Sequence, residues 1–99
     1  MIEYIQDLMA WSYTVHGPGK STDRVLNHIQ KELDEIRQDP DDLTEWIDVI
    51  ILALNGASRR GFTPEQIEQE LHSKLAKNKA RQWPDYTTVP TNQPLEALD

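Results

Sequence analysis

The sequence holds two pairs of acids three residues apart: Glu32 with Glu35, and Glu45 with Asp48. Helical residues at that spacing share a face, so each pair presents two carboxylates together. Between the pairs lies a turn, QDPDD, and a short turn makes two helices antiparallel neighbours. Four carboxylates would then share one small volume. Alone they raise one another's pKa or push the helices apart. A divalent cation reverses that balance, and ligation by oxygen alone suits Mg²⁺ or Mn²⁺. Mg²⁺ keeps positions for water and substrate phosphates, as metal-assisted attack on a phosphate ester or anhydride requires. The competing reading is a solvated surface. With 17 Asp and Glu in the chain, such pairs arise by chance, and Asp34, Asp39, Asp41 and Asp42 fit that description.

Stripe geometry favours the site. Glu32 lies seven residues after Val25 and three after Ile29, near an apolar face rather than opposite it. Asp48 aligns with Asn55, also seven on. Further along, Ile67, Leu71, Lys74, Asn78 and Arg81 follow helical steps; the stripe begins apolar and ends in two cations and an amide. Polar groups on a buried-side stripe want a partner. A triphosphate would serve, with Arg81 giving forked contacts and Lys74 a point charge. The alternative is a basic helix end complementing the macrodipole, which describes Lys77 and Lys79.

The elements that must carry these residues are helical. Ile2, Ile5, Leu8, Met9 and Trp11 predict a helix over residues 2–14, broken by Pro18 and two glycines. Ser21 or Thr22 is expected to cap a second helix with the stripe Val25, Ile29, Leu33 and Ile36. Asp41 or Asp42 is expected to cap a third, reaching about residue 60. Its stripe is Leu43, Ile47, Ile50, Ile51 and Leu54, and Val49 and Leu52 make it apolar nearly all round. Such a helix in a chain of 99 residues predicts an oligomer interface. Thr63, Pro64 and Gln66 form a capping-box start for a fourth helix to about residue 81. Pro84, Pro90 and Pro94 then mark an extended C-terminal tail. The expected fold is all-α, with four helices over residues 1–83 and the tail over 84–99.

HGPGKST, residues 16–22, resembles the end of a phosphate-binding loop, but the full motif needs a glycine at residue 14, which is Thr14. It also needs a preceding strand, and the preceding residues are helical. The segment therefore reads as a helix–helix connection.

The net charge of −7 argues against a nucleic-acid partner but not against a small phosphorylated ligand reached through metal ions. With no Cys there is no disulfide or thiolate site. The start MIEYIQDLMAW lacks a signal-peptide pattern, and the longest apolar run, VIILAL, is too short to span a bilayer. The expectation is a cytoplasmic protein without a membrane partner.

HIQKELDEI, EWIDVIILALNGASRRG and KLAKNKARQWPD together resemble the MazG-type all-α nucleoside triphosphate pyrophosphohydrolases. The similarity is greatest to the small dATP/dGTP pyrophosphohydrolase branch, several of whose members come from phages. It covers residues from about 11 to 85. It implies a four-helix MazG-like bundle assembled as a homo-oligomer, a tetramer rather than a dimer, with sites near subunit interfaces. The implied activity is Mg²⁺-dependent hydrolysis of a deoxynucleoside triphosphate to monophosphate and pyrophosphate, with Mn²⁺ as a substitute. If phage-encoded, the protein would work in the host cytoplasm. By resemblance Glu32, Glu35, Glu45 and Asp48 hold the metals, and Lys74, Asn78 and Arg81 bind phosphates. Asn55 matches an asparagine near the metals or the nucleotide. Glu35 is the preferred proton acceptor. Trp11 either stacks on a purine or is a core aromatic. The other readings are a non-catalytic helical interaction module and a phosphohydrolase for other nucleotides.

Overall fold

A computed structural model describes residues 1–99. There are four α-helices and no strand: α1 (Ile2–His16), α2 (Thr22–Gln38), α3 (Leu43–Arg59) and α4 (Pro64–Ala80). A single 3-10 turn, Tyr86–Thr88, follows. None of the helices is long and apolar enough to cross a membrane.

Local chemistry explains most of the boundaries. At α3 the Asp42 side chain accepts the Thr44 N–H at 3.0 Å, which selects Asp42 over Asp41 as the cap. At α4 the capping box is reciprocal: the Gln66 side chain accepts the Thr63 N–H at 2.9 Å, and the Thr63 hydroxyl accepts the Gln66 N–H at 3.1 Å. The expected cap of α2 is absent. Ser21 occupies the capping position, but its φ of 50° is left-handed and its side chain makes no capping bond. A capping hydroxyl reaches the first helical N–H groups from extended backbone, which Ser21 does not adopt.

The chain forms two compact units, Met1–Glu68 and Gln69–Asp99. In the first, α3 packs against both α2 and α1, while α1 and α2 do not pack on each other. The core is Ile5, Leu8, Met9 and Leu54, with Ile51 and Ile67 packed against it. Each such side chain stabilises the fold by roughly 1.5–3 kcal/mol on burial. The buried line of α2 is Val25, Glu32 and Ile36 with half-buried Ile29, so Glu32 takes the inward place that periodicity assigned to Leu33. α2 approaches α3 closely at Gly56, where an added Cβ would lie 3.1 Å from Val25 Cγ1. On α3 the buried residues are Leu54, Asn55 and Arg59, whereas Leu43, Ile47 and Ile50 are exposed. A helix apolar nearly all round outruns the cover that two neighbours provide.

In the second unit no residue of α4 is buried. Asp85 caps the 3-10 turn through the Thr87 N–H and hydroxyl, which hold its carboxyl below its usual pKa. The Leu98 N–H donates to the Gln82 carbonyl at 2.8 Å, returning the chain to the end of α4.

Candidate functional site

α2 and α3 bring Glu32, Glu35 and Glu45 together: one carboxylate oxygen from each lies within 4.8 Å of the others. The i, i+3 spacing places the two α2 acids on one face, and α3 delivers Glu45 from one turn past the Asp42 cap. Glu32 is buried, Glu35 and Glu45 half-buried. His28, one turn before Glu32, lies 3.1 Å from Glu32 Oε1 through Nε2. Glu32 Oε2 and Glu45 Oε2 are both buried without a hydrogen-bond partner.

The electrostatics follow from crowding. Glu35 sits between the other two, and hydrogen bonds from Glu32 and then Glu45 lower its pKa. The same shared bond, then burial, raises Glu32. A second bond, between Glu45 and Glu35, again with burial, raises Glu45 to about 7. Asp48 is close enough for its charge to raise Glu32 further. Three carboxyls, two of them with an orphaned oxygen and inclined to keep a proton, fit a hard divalent cation, which would satisfy the oxygens and displace the protons.

Glu32 and Asp48 open onto a cavity of about 520 Å³. Its walls are one face from each of three helices: Tyr4, Asp7, Leu8, Trp11, Ser12 and His16 from α1; Ser21, Arg24, Val25 and His28 with Glu32 from the α2 side; and Ile51, Leu52, Asn55 and Arg59 with Asp48 from α3. The gap exists because α1 and α2 each pack on α3 and not on each other. From Ser21 to Glu32 the α2 wall is about 16 Å long at 1.5 Å per residue. Trp11 is 56% exposed, and its ring stands perpendicular to that of His16 at a centroid distance of 5.8 Å. The core-aromatic alternative for Trp11 therefore fails.

Asn55 is buried, and its Oδ1 accepts from Ser12 Oγ at 3.0 Å and Arg59 Nε at 2.9 Å. Arg59 is the hub of this network. Its Nη1 donates to the carbonyls of Gly17 and Gly19 at 3.0 and 2.9 Å, and its Nη2 to Ser12 Oγ at 2.9 Å. The guanidinium also lies over the Tyr13 ring at 4.9 Å. The HGPGKST segment thus presents carbonyl oxygens to a cation, the reverse of a loop that turns N–H groups toward phosphate. Gly17 and Gly19, at φ 77° and 105°, supply the left-handed turns that aim both carbonyls inward.

Lys74, Asn78 and Arg81 belong to the second unit. Lys74 is exposed, and the Asn78 carbonyl accepts Trp83 Nε1 at 2.8 Å. Arg81 contacts Asp99 through its carbonyl at 2.9 Å and its carboxylate at 3.6 Å, with Trp83 beside it at 6.0 Å. Sequence reasoning missed Arg59, Ser12 and His28. Two of them carried a local signal: Arg59 stands four residues after Asn55, and His28 four before Glu32.

Four helices without a strand, a carboxylate trio close enough to share a divalent ion and an adjoining cavity are consistent with the MazG-type class, and the chain is a nucleoside triphosphate pyrophosphohydrolase. A family model described as dATP/dGTP pyrophosphohydrolase matches residues 4–97, and the chain belongs to that family. No curated protein and no solved structure gives a significant match.

Proposed function

We propose that this chain hydrolyses purine deoxynucleoside triphosphates, dGTP and/or dATP, to the monophosphate and pyrophosphate with Mg²⁺ as cofactor and Mn²⁺ as a substitute. The observation that carries the reading is the pair of orphaned, buried oxygens, Glu32 Oε2 and Glu45 Oε2, beside Glu35 and next to a cavity large enough for a nucleotide. Glu32, Glu35, Glu45 and Asp48 are the residues that would hold the metal. When bound, it supplies charge neutralisation and Lewis-acid polarisation of the phosphoryl oxygens. Glu35, the carboxylate shared by both neighbours, accepts the proton of the attacking water. Trp11 stacks on the base, and Asn55 orders the cavity wall through Ser12 and Arg59. Lys74, Asn78 and Arg81 supply cations and an amide to the phosphates.

The working form is a homo-oligomer, a tetramer in preference to a dimer. The exposed apolar residues Leu43, Ile47 and Ile50 of α3, and Leu71 and Leu75 of α4, support this. The domain spans residues 1–83, and 84–99 form its C-terminal extension. The site of action is the cytoplasm, with no nucleic-acid or membrane partner.

The test is a nucleotide panel with chromatographic separation of pyrophosphate from phosphate. The expected result is pyrophosphate release from dGTP or dATP that needs Mg²⁺. In Glu35→Gln it falls at least about 100-fold, in line with loss of a positioned acid–base group, while circular dichroism is unchanged. Full activity in that variant refutes the mechanism; no hydrolysis of any nucleotide by the native chain favours a non-catalytic helical module.

A further inference from the structure

We propose that Asp7 reads the purine ring and makes this chain select dGTP over dATP, an inference that rests on the cavity being the nucleotide site. The α1 wall of the cavity carries Tyr4, Asp7, Leu8 and Trp11. Among these Asp7 alone is charged, and it has neither an ion-pair partner nor a side-chain hydrogen bond. The ion pairs of the chain are His28–Glu32 and Arg81–Asp99. Arg24, which lines the same cavity from α2, is likewise without a carboxylate. The remaining cation of the wall, Arg59, has its donors committed to Ser12, Asn55, Gly17 and Gly19. Asp7 is therefore an open acceptor that the protein itself leaves unsatisfied.

Its position gives that acceptor a use. Trp11 follows Asp7 by one helical turn on the same face, a spacing of about 5–6 Å between Cβ atoms. Trp11, exposed and lining the cavity, suits base stacking. A purine stacked there brings its edge to the level of the residue one turn away.

An ionised carboxylate accepts only, and its two oxygens take two parallel N–H bonds. Guanine offers such a pair, N1–H and the 2-amino group. Adenine offers a single 6-amino donor beside N1, a lone pair that a carboxylate oxygen repels. A site that hydrogen-bonds a substrate group discriminates strongly against the analogue lacking it. Asp7 is exposed to solvent, so the expected preference is about 10- to 100-fold rather than the larger values of fully buried sites.

The experiment is steady-state pyrophosphate release from dGTP, dATP and deoxyinosine triphosphate by the full chain and by Asp7→Asn, with Mg²⁺. Deoxyinosine triphosphate keeps N1–H and lacks the 2-amino group. The native chain should prefer dGTP in kcat/KM, with the inosine nucleotide between dGTP and dATP. In Asp7→Asn the dGTP-to-dATP ratio should fall at least about tenfold through KM, and dATP should improve, because an amide donates to adenine N1 and accepts from its 6-amino group. Equal hydrolysis of both nucleotides by the native chain, a preference for dATP, or a ratio indifferent to the substitution overturns the role of Asp7 while leaving the enzyme reading intact. Release from none of the three nucleotides fails the nucleotide reading of the cavity, and the inference with it.

Discussion

Replacing Arg59 by Met keeps the apolar stem and removes the head that ties α3 to α1 and to the Gly17–Gly19 turn. Four well-placed bonds disappear: to Asn55 Oδ1, Ser12 Oγ, Gly17 O and Gly19 O, at 2.9–3.0 Å. A net hydrogen bond stabilises by about 1 kcal/mol, more when one partner is charged. The two loop carbonyls can rehydrate, so they count at the low end. Ser12 and Asn55 are buried but keep their own bond at 3.0 Å. Against these losses stands relief from burying a guanidinium that has no carboxylate beside it. The expected net destabilisation is about 2–3 kcal/mol, or roughly 10–20 °C in Tm for a domain of this size. Urea and thermal unfolding by circular dichroism measure it. Arg59→Lys, with charge but no fork, should fall between the two. Because the tethered loop forms part of the cavity wall through His16 and Ser21, KM for nucleotide should rise in both variants. A Met variant within about 0.5 kcal/mol of the native chain, a difference small beside any one of these bonds, would refute the clasp.

In metal-free protein the Tm should fall as pH rises from 4.5 through about 7, because Glu45 is raised from 4.5 to about 7 and Glu32 is raised too. Groups raised on folding hold their stabilisation below the unfolded value and lose it through the folded one; the lowered Glu35 acts in the opposite sense, below 4.5. Added Mg²⁺ should restore Tm at the upper end of that window, and a metal-free Tm that climbs across it contradicts the carboxylate crowding. Gly56→Val should destabilise by about 2 kcal/mol, as overpacking does, since a Cβ there already meets Val25 Cγ1 at 3.1 Å and buried, β-branched Val25 cannot swing aside. Denaturant midpoints at equal m-value check it.

Much of the fold was legible because it is local. Helical periodicity, Pro and Gly punctuation and two caps are encoded within a few residues, so four helices and the Asp42 and Thr63 starts follow from neighbours in the chain. The Ser21 cap failed because its backbone conformation is set by the Gly17–Gly19 turn, and that turn is held from α3, some forty residues away. The acids were readable for the same local reason: the i, i+3 spacing and the short QDPDD turn leave little freedom in where Glu32, Glu35 and Glu45 meet. Glu32 could be placed near the apolar face by counting from Val25, although periodicity still assigned the inward position to Leu33.

By itself, then, the sequence determined the helices, the facing carboxylates and the exclusion of a strand-borne phosphate loop at HGPGKST, all matters of spacing along one or two adjoining elements. Tertiary structure decided which oxygens are orphaned and what the HGPGKST carbonyls hold. It also decided that a cavity opens where α1 and α2 fail to meet, and that Asp7 and Trp11 line it together. Those properties depend on burial and on contacts between residues far apart in the chain, and no periodicity in one helix records what a distant helix leaves uncovered.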